Sequence, residues 1–210
     1  MSGLPRVQLV VLAGLLFCSC FTSQTVRPTV DEVIWTPKTE FGREALGQVD
    51  TAYRAIVEEV RTNRDLAGVD FPKEGVLVVY DHSQTDTLWY HAFALVDQTL
   101  YNTLRTSFLS RAASVLARRL YPLATVIDRH SVLRQVNRLT GYQLRFIWRA
   151  TDFAEDRYKL AGEWEAITAV IPYQLLSDYV SMKVSIQELG KRAEFLTKMG
   201  KTEVDFSLMP

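Results

Sequence analysis

The chain has two cysteines, Cys18 and Cys20, and both lie at the end of an apolar N-terminal run. Everything after residue 20 therefore folds without a disulfide, a cysteine-ligated metal or a thiol nucleophile. A body of 190 residues (210 less 20) must be held together by burial alone. Composition permits this: 48% of residues are hydrophobic and 11% aromatic, so a packed core is expected. The length suits one domain plus terminal segments. Lys+Arg and Asp+Glu are both 24, a balance that argues against a nucleic-acid surface.

Met1 to Arg6 carries one positive side chain, and Val7 to Phe17 is a largely apolar run. A helix that spans a bilayer needs roughly 20 apolar residues, so this shorter run reads as the core of an export signal. Phe17-Cys18-Ser19-Cys20 resembles the bacterial lipobox, in which a small residue precedes the modified cysteine. Ser19 fills that place before Cys20, whereas Cys18 would put Phe17 there. The expectation is a signal peptide over 1–19 and a membrane lipid attached through Cys20. Phe21, rather than Asp, follows the cysteine, which favours the outer membrane, facing the periplasm, as the location in the cell envelope.

Phe21 to Lys38 is rich in Thr, Pro and Val with no helical period. It reads as an extended linker reaching roughly 60 Å at about 3.3 Å per residue, shortened if Ile34 and Trp35 dock on the body. Thr36-Pro37 has the form of a helix start. Phe41, Ala45, Val49, Ala52, Tyr53, Ile56, Val57 and Val60 then recur at helical spacing, and Asn63 and Gly68 end the helix. Gly75 to Tyr80 is a β-branched run with the composition of a buried strand. Thr87 to Val96 fits either strand or helix. Asp97 to Leu120 predicts a long helix stopped by Pro122, and Leu123 to Asp128 a second strand. Residues 131–154 predict two helical pieces broken at Thr140-Gly141. Tyr158 to Ile167 and Tyr179 to Leu189 alternate as half-exposed strands, and Gly190-Lys191 turns into a last strand over Ala193 to Lys198. The sum is a single α/β domain over 39–210, a mixed sheet flanked by helices.

Catalytic groupings are sparse. His82, His91 and His130 are the three histidines, and none lie at metal-ligand spacing. Asp81-His82-Ser83 holds the residue types of a triad, but consecutive side chains point apart. Glu163 and Glu165 share one face of a strand, where such a pair is more often solvated than catalytic. No glycine loop cradles a phosphate, so no cofactor, no metal and no catalytic residue is assigned. Trp148 and Trp164 fit either a core or a binding surface. Pro172 and Tyr173, between two strands, are the candidate partner contact, because aromatic residues dominate interface hot spots.

Four segments resemble the LpoB family, lipoproteins that activate penicillin-binding proteins and whose domain is related to the TolB N-terminal domain and to CsgG. Val76 to Asp81 resembles the family's opening strand, and Thr125-Val126-Ile127-Asp128-Arg129 its second. Asp156 to Glu163 resembles the approach to the third strand, and Tyr179 to Glu194 the closing hairpin. The sequence departs from the pattern in a longer segment from His82 to Val96, in the absence of a Thr-Gly pair at the final turn, and in Phe195 where tryptophan is common. The resemblance implies a TolB N-terminal-like fold and a periplasmic binding module that activates a peptidoglycan synthase, a class A penicillin-binding protein. The other reading is a structural, secretion-associated or flagellum-associated envelope lipoprotein of the CsgG or LPP20 kind.

Overall fold

A computed structural model of the chain describes residues 27–81, 88–154, 162–204 and 206. The fold begins well before the first long helix. Thr29 caps a short helix, α1 (Val30–Val33), through a reciprocal pair of bonds with Glu32. Val33 and Ile34 are buried, Ile34 pairs in parallel with Val76, and Trp35 N–H donates to the Val76 carbonyl at 2.9 Å. The next donor in that ladder would be residue 37, and Pro37 has none, so the pairing stops there. Arg61 donates to the Pro28 carbonyl at 2.5 Å, and Asp70 accepts from both Arg27 and Arg61. From Arg27 onward the expected linker is therefore docked chain, and the folded unit takes in residues 27–38 as well as the body from 39.

Helix α2 (Glu40–Thr62) starts one turn later than expected. Its cap is Thr39, whose hydroxyl accepts from Gly42 N–H at 3.0 Å, because Thr36 and Pro37 sit at the end of the docked edge segment. Ala45, Val49, Tyr53, Ile56, Val57 and Val60 form its buried stripe, and Asn63 ends it as expected.

The strands are β1 (Val69–Asp70), β2 (Val76–Asp81), β3 (Leu88–Asn102), β4 (Leu139–Thr151), β5 (Glu163–Pro172), β6 (Glu194–Thr197) and β7 (Gly200–Thr202). β1 and β2 lie one after the other along the same edge of β3, antiparallel to it. β3 runs parallel to β4, and β4, β5, β6 and β7 follow antiparallel. The sheet is thus mixed, with its parallel junction at the centre, as an α/β architecture with flanking helices requires. A parallel pair needs a long crossover, and α3 (Phe108–Asp128) supplies it. Two shorter helices, α4 (Tyr173–Val180) and α5 (Ile186–Arg192), connect β5 to β6.

One face of the sheet carries the core. His91, Phe93 and Leu95 of β3 stand opposite Tyr142, Leu144 and Phe146 of β4, and Ile167, Ala169 and Ile171 of β5 continue the rows. The helices pack on this face: Tyr53 of α2 reaches His91, Arg111 of α3 reaches Glu165, and Tyr173 of α4 lies against Tyr142. Asp97 is buried in β3, where the backbone shifts register, and pairs with Arg119 of α3 at 3.0 Å. Burial pushes its carboxyl upward, but hydrogen bonds from Arg119 and Thr99 outweigh this and hold it below the usual value.

Several sequence expectations are corrected. Thr87 to Val96 is strand where it is described, and the strand continues to Asn102, so the helix expected from Asp97 begins only at Phe108. Pro122 does not stop that helix. Leu123, Ala124, Val126 and Ile127 are buried beyond it, and their burial outweighs the roughly 3 kcal/mol that an interior proline costs. The expected strand Leu123 to Asp128, which also carried part of the family resemblance, is therefore helix. Residues 131–154 hold a 3-10 turn (Ser131–Gln135) and the long strand β4, not two helices. Of Tyr158 to Ile167, the described part opens β5, and Tyr158 to Ala161 lie outside the described residues. Tyr179 to Leu189 is not a strand: it spans the end of α4 and most of α5, and Gly190-Lys191 lies inside α5.

Gly141 has a distinct role in this sheet. A Cβ there would collide with the Ile171 carbonyl and stand 2.9 Å from Pro172 Cα, so β4 and β5 close on each other only because the side chain is missing. Gly141→Ala is expected to lower stability by about 1–3 kcal/mol, the usual range for overpacking. Urea unfolding tests this, and a wild-type midpoint would refute it.

Candidate functional site

Among the described residues the buried His91, Asp97 and Arg111 are all held in structural bonds. His91 lies between Tyr53, whose hydroxyl is 2.6 Å from Nδ1, and the Leu133 carbonyl, 2.8 Å from Nε2. A carbonyl only accepts, so Nε2 carries the proton and Nδ1 accepts from Tyr53. Burial holds the imidazole neutral, its pKa lowered to about 4. Tyr173 donates to the same Leu133 carbonyl at 3.1 Å, and its ring packs on His91 and Tyr142. Burial raises the Tyr53, Tyr142 and Tyr173 phenols above their ordinary value. This cluster fixes the 3-10 turn and the start of α4 to the sheet.

The candidate partner contact divides. Pro172 is exposed at the end of β5, whereas Tyr173 turns its ring into the cluster just described and keeps only part of its surface in solvent. His130 pairs with Glu59 at 3.0 Å. His82 and Ser83 lie outside the described residues, as do Cys18 and Cys20.

Glu163 and Glu165 do not act as a solvated pair. Glu165 faces the helices and takes both ends of the Arg111 guanidinium, at 2.8 and 2.5 Å, and also accepts from Trp148 Nε1 at 2.7 Å. Glu163 is exposed. The two tryptophans part in the same way: Trp148 is fully buried, and Trp164 is 59% exposed. Successive residues of a strand face opposite ways, so a Glu-Trp-Glu triplet that commits Glu165 to the core side commits Trp164 to the other.

Trp164 lines a cleft of about 720 Å³ at the sheet edge, between the start of α3, the strand β5 and the β6–β7 turn. Leu109, Leu196 and Met199 form its other apolar walls, with Arg145, Glu163 and Lys198 at its rim. Arg149 lies over the Trp164 ring at 5.7 Å. An apolar cleft with an exposed indole and a charged rim can bind a polypeptide. Leu109 and Met199 carry no motif, so their part in it was not legible in the sequence. A larger depression of about 1020 Å³, beside α5 and β7, has Lys191, Lys201 and Glu203 at its edge, and Lys201 is already paired with Glu194 at 2.8 Å.

Among the described residues no cluster of His, Cys, Asp or Glu could hold a metal ion, and no helix is long and apolar enough to cross a membrane. Comparison with protein families, curated proteins and solved structures found no match to the chain.

Proposed function

We propose that the protein is a lipid-anchored binding module of the cell envelope, tethered through Cys20 to the outer membrane, that docks on and activates a peptidoglycan synthase. The observation that carries the binding reading is the cleft beside β5: the exposed Trp164 lies there, while the buried acids, histidine and arginine are all engaged in structural bonds. The anchor follows from Ser19-Cys20 after the apolar run. Each buried methylene of an acyl chain adds about 0.8 kcal/mol, and several chains together hold durably.

The docked segment limits the reach of such an anchor. Six residues (21 to 26) lie between Cys20 and Arg27, and the seven steps from one to the other reach at most roughly 23 Å at about 3.3 Å per residue. The domain then works close to its membrane, and a synthase partner has to extend to within about one domain of that surface. The same short reach favours the second reading, a structural or secretion-associated lipoprotein whose partner sits in the same membrane. Pull-down from detergent-solubilised membranes separates the two. A class A penicillin-binding protein in the bound fraction supports the first reading, and recovery of outer-membrane assembly or secretion components supports the second. Labelling with radioactive palmitate tests the anchor: wild type is expected to label and Cys20→Ala to lose the label. Equal incorporation by both would remove the lipid from the proposal.

A further inference from the structure

β6 covers only part of the edge that β5 offers. Its register runs from Glu194 opposite Val170 to Leu196 opposite Thr168, and the chain then turns back through Lys198 and Met199 into β7. Among the described residues no strand pairs with the outer edge of β5 from Glu163 to Ile167. The hairpin determines which backbone groups this leaves open. A two-residue loop closes on a hydrogen-bonded pair, here Thr197 with Gly200, and bonded pairs alternate from there along the ladder. Phe195 therefore bonds to β7, and Leu196 turns its N–H and C=O towards Thr168 of β5. By the same alternation Ala166 and Trp164 aim their N–H and C=O outward, while Ile167, Glu165 and Glu163 bond to β4. Two donors and two acceptors stand in a lane roughly 17 Å long, at about 3.4 Å per residue. It lies end to end with β6, and an edge of this kind is a template for one more strand.

The side chains around the lane make it more than a bare edge. Trp164 (59% exposed), Met199 (88%) and Leu109 (38%) are three of the five large apolar side chains most exposed among the described residues, and all three line the cleft. The charges are arranged by end. Arg145, across from Thr168, and Lys198, in the hairpin turn, flank the end next to β6, and neither has a carboxylate partner among the described residues. Glu163 stands at the far end, also without a cationic partner there.

We propose that this lane is a docking site for an extended segment of a partner protein, which adds as a strand to β5 through the backbone of Trp164 and Ala166. The segment alternates apolar and polar residues, so that every second side chain enters the cleft. It carries carboxylates at the end beside Arg145 and Lys198, and a cation at the end beside Glu163. The proposal rests on the binding-module reading and gives that reading its surface.

The test uses the full chain, made in its native membrane and solubilised in mild detergent. The probe is a fluorescent Val-Thr repeat of about nine residues, long enough for the lane at about 3.4 Å per residue, with lysine at one end and two glutamates at the other. Saturable binding by fluorescence anisotropy is expected. Ala166→Pro removes one outward donor, and Trp164→Ser removes the indole while keeping the strand. Each is expected to weaken binding about tenfold, the value of one hydrogen bond or one well-packed contact. Arg145→Glu should shift preference towards a repeat whose glutamates are replaced by lysines. Unfolding midpoints near wild type show that the variants are folded. No saturable binding by wild type, or equal binding by wild type and a folded Trp164→Ser, overturns the proposal. So does a dimer of the chain in detergent that Ala166→Pro dissociates, which would assign the lane to a second copy. If the peptide fails while a synthase still co-purifies, the lane is wrong and the binding module stands. If the peptide binds and no envelope protein co-purifies, the module's assigned partner is wrong and the lane stands.

Discussion

Glu165→Ala is expected to unfold at a far lower denaturant concentration than wild type, with a loss of about 3–5 kcal/mol, the usual result of removing one partner of a buried ion pair. The Arg111 guanidinium is 6% exposed, and its two bonds to Glu165 have no substitute in the surrounding side chains. Its remaining contacts, to the Thr106 carbonyl and hydroxyl, neutralise no charge. The same substitution strands Trp148 Nε1–H in the core. Glu165→Gln keeps an acceptor for the indole and for one guanidinium nitrogen, so it should lose less. A double-mutant cycle with Arg111→Met isolates the pair. If Glu165→Ala is as stable as wild type, the network does not hold the end of the sheet to α3, and the wall of the cleft is not fixed by it.

Acid is expected to destabilise the protein through His91. In the unfolded chain the imidazole takes its proton near pH 6.5, and in the fold burial delays this to about 4. Between these values the unfolded state binds more protons, so stability falls as pH falls, by about 1.4 kcal/mol for each unit. At pH 5 the expected loss is about 2 kcal/mol relative to neutral pH, and below pH 4 it levels off near 3 kcal/mol. His91→Gln can still donate to Leu133 and accept from Tyr53, and it does not titrate. Urea midpoints across this range should slope more steeply for wild type than for His91→Gln. Parallel slopes would show that His91 is not what makes the fold sensitive to acid.

The sequence made the helix α2, the strand β2 and the last strand legible, because each carries one period and nothing competes with it. Ala45, Val49, Ala52, Ile56 and Val60 fit only a helix, and Val76 to Tyr80 is too short and too β-branched for one. β4 was the largest misreading. Tyr142, Leu144, Phe146, Trp148 and Ala150 alternate strictly, but Arg145 and Arg149 at four-residue spacing imitate the charged face of a helix. At α5 the opposite happened. Val180, Met182, Val184 and Ile186 alternate by coincidence, while Ser185 followed by Glu188 marks a helix start, and Ser185 does accept from Glu188 N–H at 3.2 Å. The site was legible in part. The Glu-Trp-Glu triplet fixes which way Trp164 faces, but its meeting with Leu109 and Met199 depends on α3 and the β6–β7 turn, which are far apart in sequence. The role of Glu165 was likewise hidden, since its partner Arg111 lies 54 positions away.

The parallel junction at the centre of the sheet also bears on how fast the protein can form. Trp89 meets Leu139 and Asn102 meets Thr151, so the middle of the sheet joins segments about 50 residues apart, with the whole of α3 between them. Closing such a loop costs entropy before any of its contacts repay it, and domains dominated by distant pairings fold in milliseconds to seconds. A nascent chain can form α2 and the β2–β3 hairpin early and still lack its centre. For a chain exported as proposed, that delay keeps it loose enough to be threaded through a narrow pore, and the sheet closes only on the far side.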